Sequence, residues 1–302
     1  AGDPGPAARA AVERERVYGA INCPGMSKCP SMKVLWFDQD WSYLGTRGAH
    51  GGGYALRLEP GTYHLQFIDQ RPAWNTSKYA PTDIEITVRH RAIGTSVTMR
   101  PGASITGVAR AGGKVLPGAR VVAANRSEQS FPTTADKKGR FAVGGLPAGK
   151  YCLFTFDRAR KYVDTCTWVG GVDFGQSRNQ AVDLRKLAGN LTVFVDTKEG
   201  RSAPSSTVTV TSRTTGQWWS SKVRSGKAVF RGLFPGRYRI KYEGAGVWFT
   251  ATGAVRGGVV RSGRMAFGDF TVPRRGGWVT ASSPTVAART APPSSPWPAY
   301  GS

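Results

Sequence analysis

The chain has 302 residues, with 42 Lys and Arg against 19 Asp and Glu and a formal net charge of +23, an excess that favours contact with polyanions. A run of about 18 apolar residues, enough for a membrane-spanning helix, occurs nowhere, so membrane insertion by a helix is excluded. Strong helical periodicity is missing between Val17 and Pro273, which argues against a helix bundle.

In chain order, residues 1–15 are a Gly/Pro/Ala-rich extension beginning at Ala1, as expected of a processed N-terminus whose signal peptide is gone. Residues 7–16 are helix-prone, with weak capping signals. Short alternating apolar segments then predict strands over residues 17–21, 33–37, 84–88, 104–108, 120–124, 181–184, 191–195, 207–211 and 264–272. After Pro273 the composition turns rich in Ser, Thr, Ala and Pro, which cannot build a core of its own.

One phrase recurs. Leu58-Glu59-Pro60-Gly61-Thr62-Tyr63 returns as Leu146-Pro147-Ala148-Gly149-Lys150-Tyr151 and as Leu233-Phe234-Pro235-Gly236-Arg237-Tyr238, with the tyrosines 88 and 87 residues apart. Gly19 and Gly107 each precede their tyrosine by 44 residues. A fixed period of this kind marks a tandem array. Each copy reads as strand, Pro-Gly turn and strand; after the last turn Tyr238, Ile240 and Tyr242 alternate with Arg237, Arg239 and Lys241. The expected architecture is therefore all-β, with three tandem β-sandwich domains at 16–100, 101–188 and 189–273 and termini that are flexible or exchanged.

The stretches Pro117-Gly118-Ala119-Arg120-Val121, Asp136-Lys137-Lys138-Gly139-Arg140-Phe141 and Gly145-Leu146-Pro147-Ala148-Gly149-Lys150-Tyr151 resemble the carboxypeptidase regulatory-like domain. That family is a transthyretin-like sandwich related to the B-type repeats of collagen adhesins. The resemblance covers most of the middle repeat, and in the other two mainly the Leu-Pro-Gly-Tyr core. It implies non-catalytic modules of secreted and surface proteins and transfers no activity. The internal Lys–Asn isopeptide bond of some adhesin repeats is not expected, because residues 17–21 and 104–108 contain no Lys.

The four cysteines form two local pairs, Cys23 with Cys29 and Cys152 with Cys166, and disulfides are the leading reading, which implies an oxidising, extracellular compartment. Metal binding competes, but His50, His64 and His90 cluster with neither pair. No metal or cofactor is expected.

Charge rises along the chain, from −1 in residues 1–15 through +4, +8 and +9 in the three repeats. The candidate polyanion-binding surface is Lys222, Arg224, Lys227, Arg231, Arg237, Arg239 and Lys241, with Trp218, Trp219 and Trp248 nearby. Core packing is the alternative role for Tyr238 and Tyr242, whereas adjacent Trp218 and Trp219 cannot both face inward from one strand. Arg158, Arg160 and Lys161 read as a solvated loop. Catalysis has little support: Asp38 and Asp40 are the nearest acid pair, and His50-Gly51-Gly52-Gly53 lacks the strand-to-helix context of a phosphate cradle. In the tail, two β-prone runs and the aromatic residues suggest assembly through Trp278, Val279, Val286, Trp297 and Tyr300. The expected protein is a non-enzymatic secreted or cell-surface structural subunit that associates with itself into a homopolymer such as a filament. The alternative is an adhesin or a module binding an extracellular polyanion such as DNA, teichoic acid or acidic polysaccharide.

Overall fold

The computed structural model describes residues 13–197, 200, 205–245, 250–255 and 259–272, and every regular element among them is a strand. The predicted strands are all found. The helix-prone stretch differs: Glu15 and Arg16 open the strand Glu15–Asn22, while residues 1–12 lie outside the described residues. There the alternation of inward Val17 with its polar neighbours, and pairing to Gly53–Leu58, override a weak local helix preference.

The chain forms two compact units, one containing the residues up to Thr155 with Thr165–Asp183, the other Phe156–Asp164 with the residues from Leu184 onward. The first unit holds two pairs of facing sheets. In the first pair, Glu15–Asn22 lies between antiparallel Gly53–Leu58 and the parallel segments Ile93–Gly94 and Val97–Thr98. Its facing sheet runs Tyr43–Ala49, Met32–Asp38, Gly61–Asp69, Thr82–Val88. In the second pair, Ala103–Ala111 lies between antiparallel Arg140–Leu146 and parallel Ser177–Asn179, facing Ser130–Thr134, Arg120–Asn125, Gly149–Phe156 and Thr165–Val172. The second unit repeats the plan, with Gly189–Thr197 between antiparallel Lys227–Leu233 and parallel Met265–Val272. Opposite them run Trp218–Lys222, Thr207–Ser212, Tyr238–Tyr242 and Ala251–Ala254.

Three apolar clusters fill the sheet pairs, drawn from alternate residues of both layers: Val17, Leu56, Val34 and Leu65; Ile105, Val143, Val121 and Leu153; Leu191, Phe230, Val210 and Ile240. We take each pair as one repeat.

The early glycines now have a reason. A Cβ on Gly19 would lie 1.6 Å from the carbonyl oxygen of Thr95, and one on Gly107 would lie 2.0 Å from that of Gln180. At those two points the chain kinks inward: Thr95 and Gln180 donate their N–H to Tyr18 and Thr106 at 2.8 Å, and the parallel partner strand is interrupted. In the third repeat the position 44 residues before Tyr238 is Phe194, and its partner strand Met265–Val272 runs unbroken.

In the first unit, residues 70–80 meet the second sheet pair backbone to backbone. Gly102 donates to Lys78 O at 3.0 Å and Gly144 to Ala73 O at 2.8 Å. A buried ion pair shapes this loop. The Asp69 carboxylate takes Arg71 Nη2 at 2.6 Å and Nε at 2.9 Å, and accepts the Tyr79 N–H at 2.9 Å. Arg71 donates onward to Ser77 O at 2.7 Å. In the second unit, residues 156–164 dock on the following chain through Val163 N–H to Lys186 O and Ala188 N–H to Lys161 O, each 2.9 Å.

Candidate functional site

The recurring tyrosines do the same thing three times. Tyr63, Tyr151 and Tyr238 donate their hydroxyls to the carbonyl four residues upstream, on Glu59, Pro147 and Phe234, at 2.9, 2.8 and 2.7 Å. The glycine two residues before each has a φ of 157–158°. Tyr151 and Tyr238 are fully buried and Tyr63 is half-buried. Burial pushes the Tyr151 hydroxyl up to about 12 and raises that of Tyr238.

The residue after each tyrosine points away from the core, onto the outer face of the four-stranded sheet. It is His64, Cys152 or Arg239. Three equivalent faces thus carry different chemistry.

On the first repeat this face is aromatic and acidic. Register aligns Tyr43, Phe37, His64 and Glu85 across the sheet, with Gln66 and Asp83 in the next row. The Asp38 carboxylate accepts the N–H groups of Asp40 and Ser42 and tightens the hairpin, leaving Trp41 with a φ of 61°. The Trp41 indole stacks on His64 at 4.2 Å and 6°, and remains 49% exposed. His64 Nδ1 lies 3.9 Å from Glu85. Asp38 thus serves as the acceptor of its hairpin turn, and His50 bonds Ser31 at 3.2 Å beside a glycine turn.

On the second repeat the face carries a covalent bridge. Cys152 and Cys166 are joined across adjacent strands with Cα atoms 5.6 Å apart, and Cys23–Cys29 closes its own short loop at 5.4 Å. Both predicted pairs are formed and no cysteine is free. Trp168, opposite Cys152, is exposed.

On the third repeat the face is basic. Trp218, Thr211 and Arg239 form one row, Ser220, Thr209 and Lys241 the next, and Thr207 with Lys222 a third. The Thr209 and Ser220 hydroxyls are 3.0 Å apart, and Lys241 pairs with Glu243 at 2.7 Å. Trp219 packs inward against Tyr238 while Trp218 stays 51% exposed, as adjacent strand residues require. The seven predicted basic residues are all exposed but do not form one surface. Lys222, Arg237, Arg239 and Lys241 belong to this face. Lys227 and Arg231 lie on the strand Lys227–Leu233 of the opposite sheet, with Arg224 in the hairpin leading to it. There Lys227 sits over the Phe194 ring at 5.6 Å. Trp248 and the assembly residues Trp278, Val279, Val286, Trp297 and Tyr300 lie outside the described residues.

Arg158, Arg160 and Lys161 are exposed on a loop shaped by Asp157, whose buried carboxylate accepts the N–H groups of Ala159 and Lys161 at 2.9 Å and Tyr162 at 3.2 Å. Nearby Asp164 is pushed up to about 7 by desolvation, with Arg160 opposing and Asp157 adding to the shift. Among the described residues no three His, Cys, Asp or Glu side chains are grouped as a metal site.

No protein-family model matches the chain, and no curated protein matches it. Solved structures similar to it include a streptococcal ancillary pilin, at 14% identity over 87% of this chain and 99% of that one, TM-score 0.34. The major pilin subunit of Bacillus cereus matches at 11% over 88% and 100%, TM-score 0.25. The Bacillus anthracis TIE protein matches at 14% and TM-score 0.27, and there the alignment covers 87% of this chain but spans only 51% of the other. With TM-scores this low, these likenesses carry no inference for the present chain.

Proposed function

We propose that this protein is a non-catalytic structural subunit of an extracellular or cell-surface assembly, its copies joining into a homopolymer and its basic faces contacting polyanions as a second property. The observation that carries this reading is a plan of facing sheets that recurs along the chain, with an outer sheet face decorated differently at each recurrence. Repetition with variation on the outside suits a scaffold that presents surfaces, and two closed disulfides suit an oxidising compartment. Residues 274–302 are the proposed link between copies, through the β-prone runs around Trp278, Val279 and Val286 and the anchors Trp297 and Tyr300. Deleting 274–302 and comparing the two chains by size-exclusion chromatography and electron microscopy tests the link. Loss of higher-order species supports it, and unchanged assemblies contradict it.

A second reading, an extracellular polyanion-binding module or adhesin, is favoured by the cation and hydroxyl rows around Arg239 and Lys241. Replacing Arg237, Arg239 and Lys241 together by Ala then weakens heparin or duplex-DNA binding and lowers the salt slope by about one for each phosphate that is no longer neutralised. Unchanged affinity removes this face from the reading.

A further inference from the structure

Within residues 16–100 there are six acids, and the structure commits three of them locally: Asp69 to Arg71, Glu59 to Arg14, and Asp38 to its own hairpin. The other three, Asp40, Asp83 and Glu85, are exposed, Glu85 with its carboxylate 3.9 Å from His64, and gather on or beside one sheet face, where Trp41 presents a half-exposed indole stacked on His64. On the strands of that face the only Lys or Arg pointing outward is Lys33. An acidic and aromatic patch on a chain of net charge +23 attracts cationic groups, because carboxylates act on them through space and an indole face acts on them directly. The equivalent sheet of the third repeat supplies the complement: Lys222, Arg239 and Lys241 stand among hydroxyls, with Glu243 the acid at the margin. Both faces are four-stranded and lie on the outer side of the same sheet of the repeat, so they share pleat and strand spacing.

We propose that the outer face of the first repeat, around Trp41, Asp83 and Glu85, is a docking site for the Arg239–Lys241 face of a second copy of this chain. The interface rests on the self-association reading above and gives it a location. Because two different patches meet, the contact is heterologous: each copy offers one of each, and the series closes into a ring or continues as a polymer. Arg239 of the incoming copy is the side chain suited to lie over Trp41, since a guanidinium stacks on an aromatic ring while keeping donors for Glu85.

Two full-length charge reversals test this by sedimentation velocity. Asp83→Lys with Glu85→Lys makes the first face basic, and Arg239→Glu with Lys241→Glu makes the third acidic. Each variant alone is expected to associate at least about tenfold more weakly than the natural chain. An equimolar mixture is expected to associate again, because every basic face then finds an acidic one. That rescue cannot come from misfolded protein. Self-association of either variant at the natural strength overturns the proposal while leaving the polymer reading intact, as does a mixture that stays dissociated. If Arg239→Glu with Lys241→Glu abolishes heparin retention yet leaves self-association unchanged, the basic face serves an anionic polymer instead and the proposal fails. A natural chain that never associates removes the polymer reading itself.

Discussion

Tyr151 and Tyr238 place a whole ring in the core and use the hydroxyl to hold the turn that delivered them, so each residue contributes both apolar burial and a satisfied carbonyl. Tyr151→Phe should cost about 1–2 kcal/mol, the loss of one hydrogen bond with its acceptor left part-buried, and Tyr151→Ala about 3–5 kcal/mol, read from denaturant unfolding. Half-buried Tyr63 should cost less on truncation. If Tyr151→Phe is neutral, the hydroxyl contact is incidental. Asp164 gives a prediction with a sign. Its folded pKa of about 7 lies above the usual carboxylate value, so the native state holds the proton more tightly than the unfolded chain. Its contribution to stability is present at low pH and is lost as pH rises from about 4 to about 7. Asp164→Asn should therefore stabilise the protein relative to the natural chain at about pH 8 and make little difference at about pH 4, with thermal unfolding at both values as the check. An equal effect at both values would mean that the carboxyl is solvated when folded.

At the scale of strands and loops, Gly107 permits the close approach of Gln180, and a Cβ there meets backbone that cannot swing aside. Gly107→Ala should cost about 1–3 kcal/mol by overpacking, and a neutral result in urea unfolding would mean that the last strand shifts freely. Removing one partner of the Asp69–Arg71 pair is a larger change. Asp69→Ala strands a guanidinium 16% exposed, left with the Ser77 carbonyl and the Tyr79 ring, and should cost about 3–5 kcal/mol, whereas loss near 0.5 kcal/mol would place the pair with ordinary surface bridges. The strands, the repeat period and the cysteine pairs were legible in the sequence, because alternation, turn glycines and spacing are local signals. Which basic residues share a sheet face was only partly legible. Lys227 and Arg231 are close to Arg239 along the chain, yet the strands Lys227–Leu233 and Tyr238–Tyr242 belong to opposite sheets, so proximity in sequence does not give a shared face. Nothing in the sequence singles out Asp69 and Arg71, because their burial depends on where residues 70–80 pack. The acidic and aromatic face needed register: Tyr43, Phe37, His64 and Glu85 come from four strands.

For the whole molecule, two disulfides brace the repeated sandwiches, and the outer faces of the first and third repeats carry opposite charge. Free-thiol titration of the denatured, unreduced protein should find none, and opening the bridge across 14 residues between Cys152 and Cys166 should cost about 3 kcal/mol. Labelling of all four cysteines would contradict both the pairing and the proposed extracellular location. Association between copies is the property on which the proposed polymer and the proposed docking interface both rest. A concentration series of the oxidised full-length chain by sedimentation velocity, at low and high salt, measures that directly. The predicted result is a sedimentation coefficient that climbs with concentration at low salt and falls back as salt rises. A single monomeric boundary at every concentration and salt would contradict it.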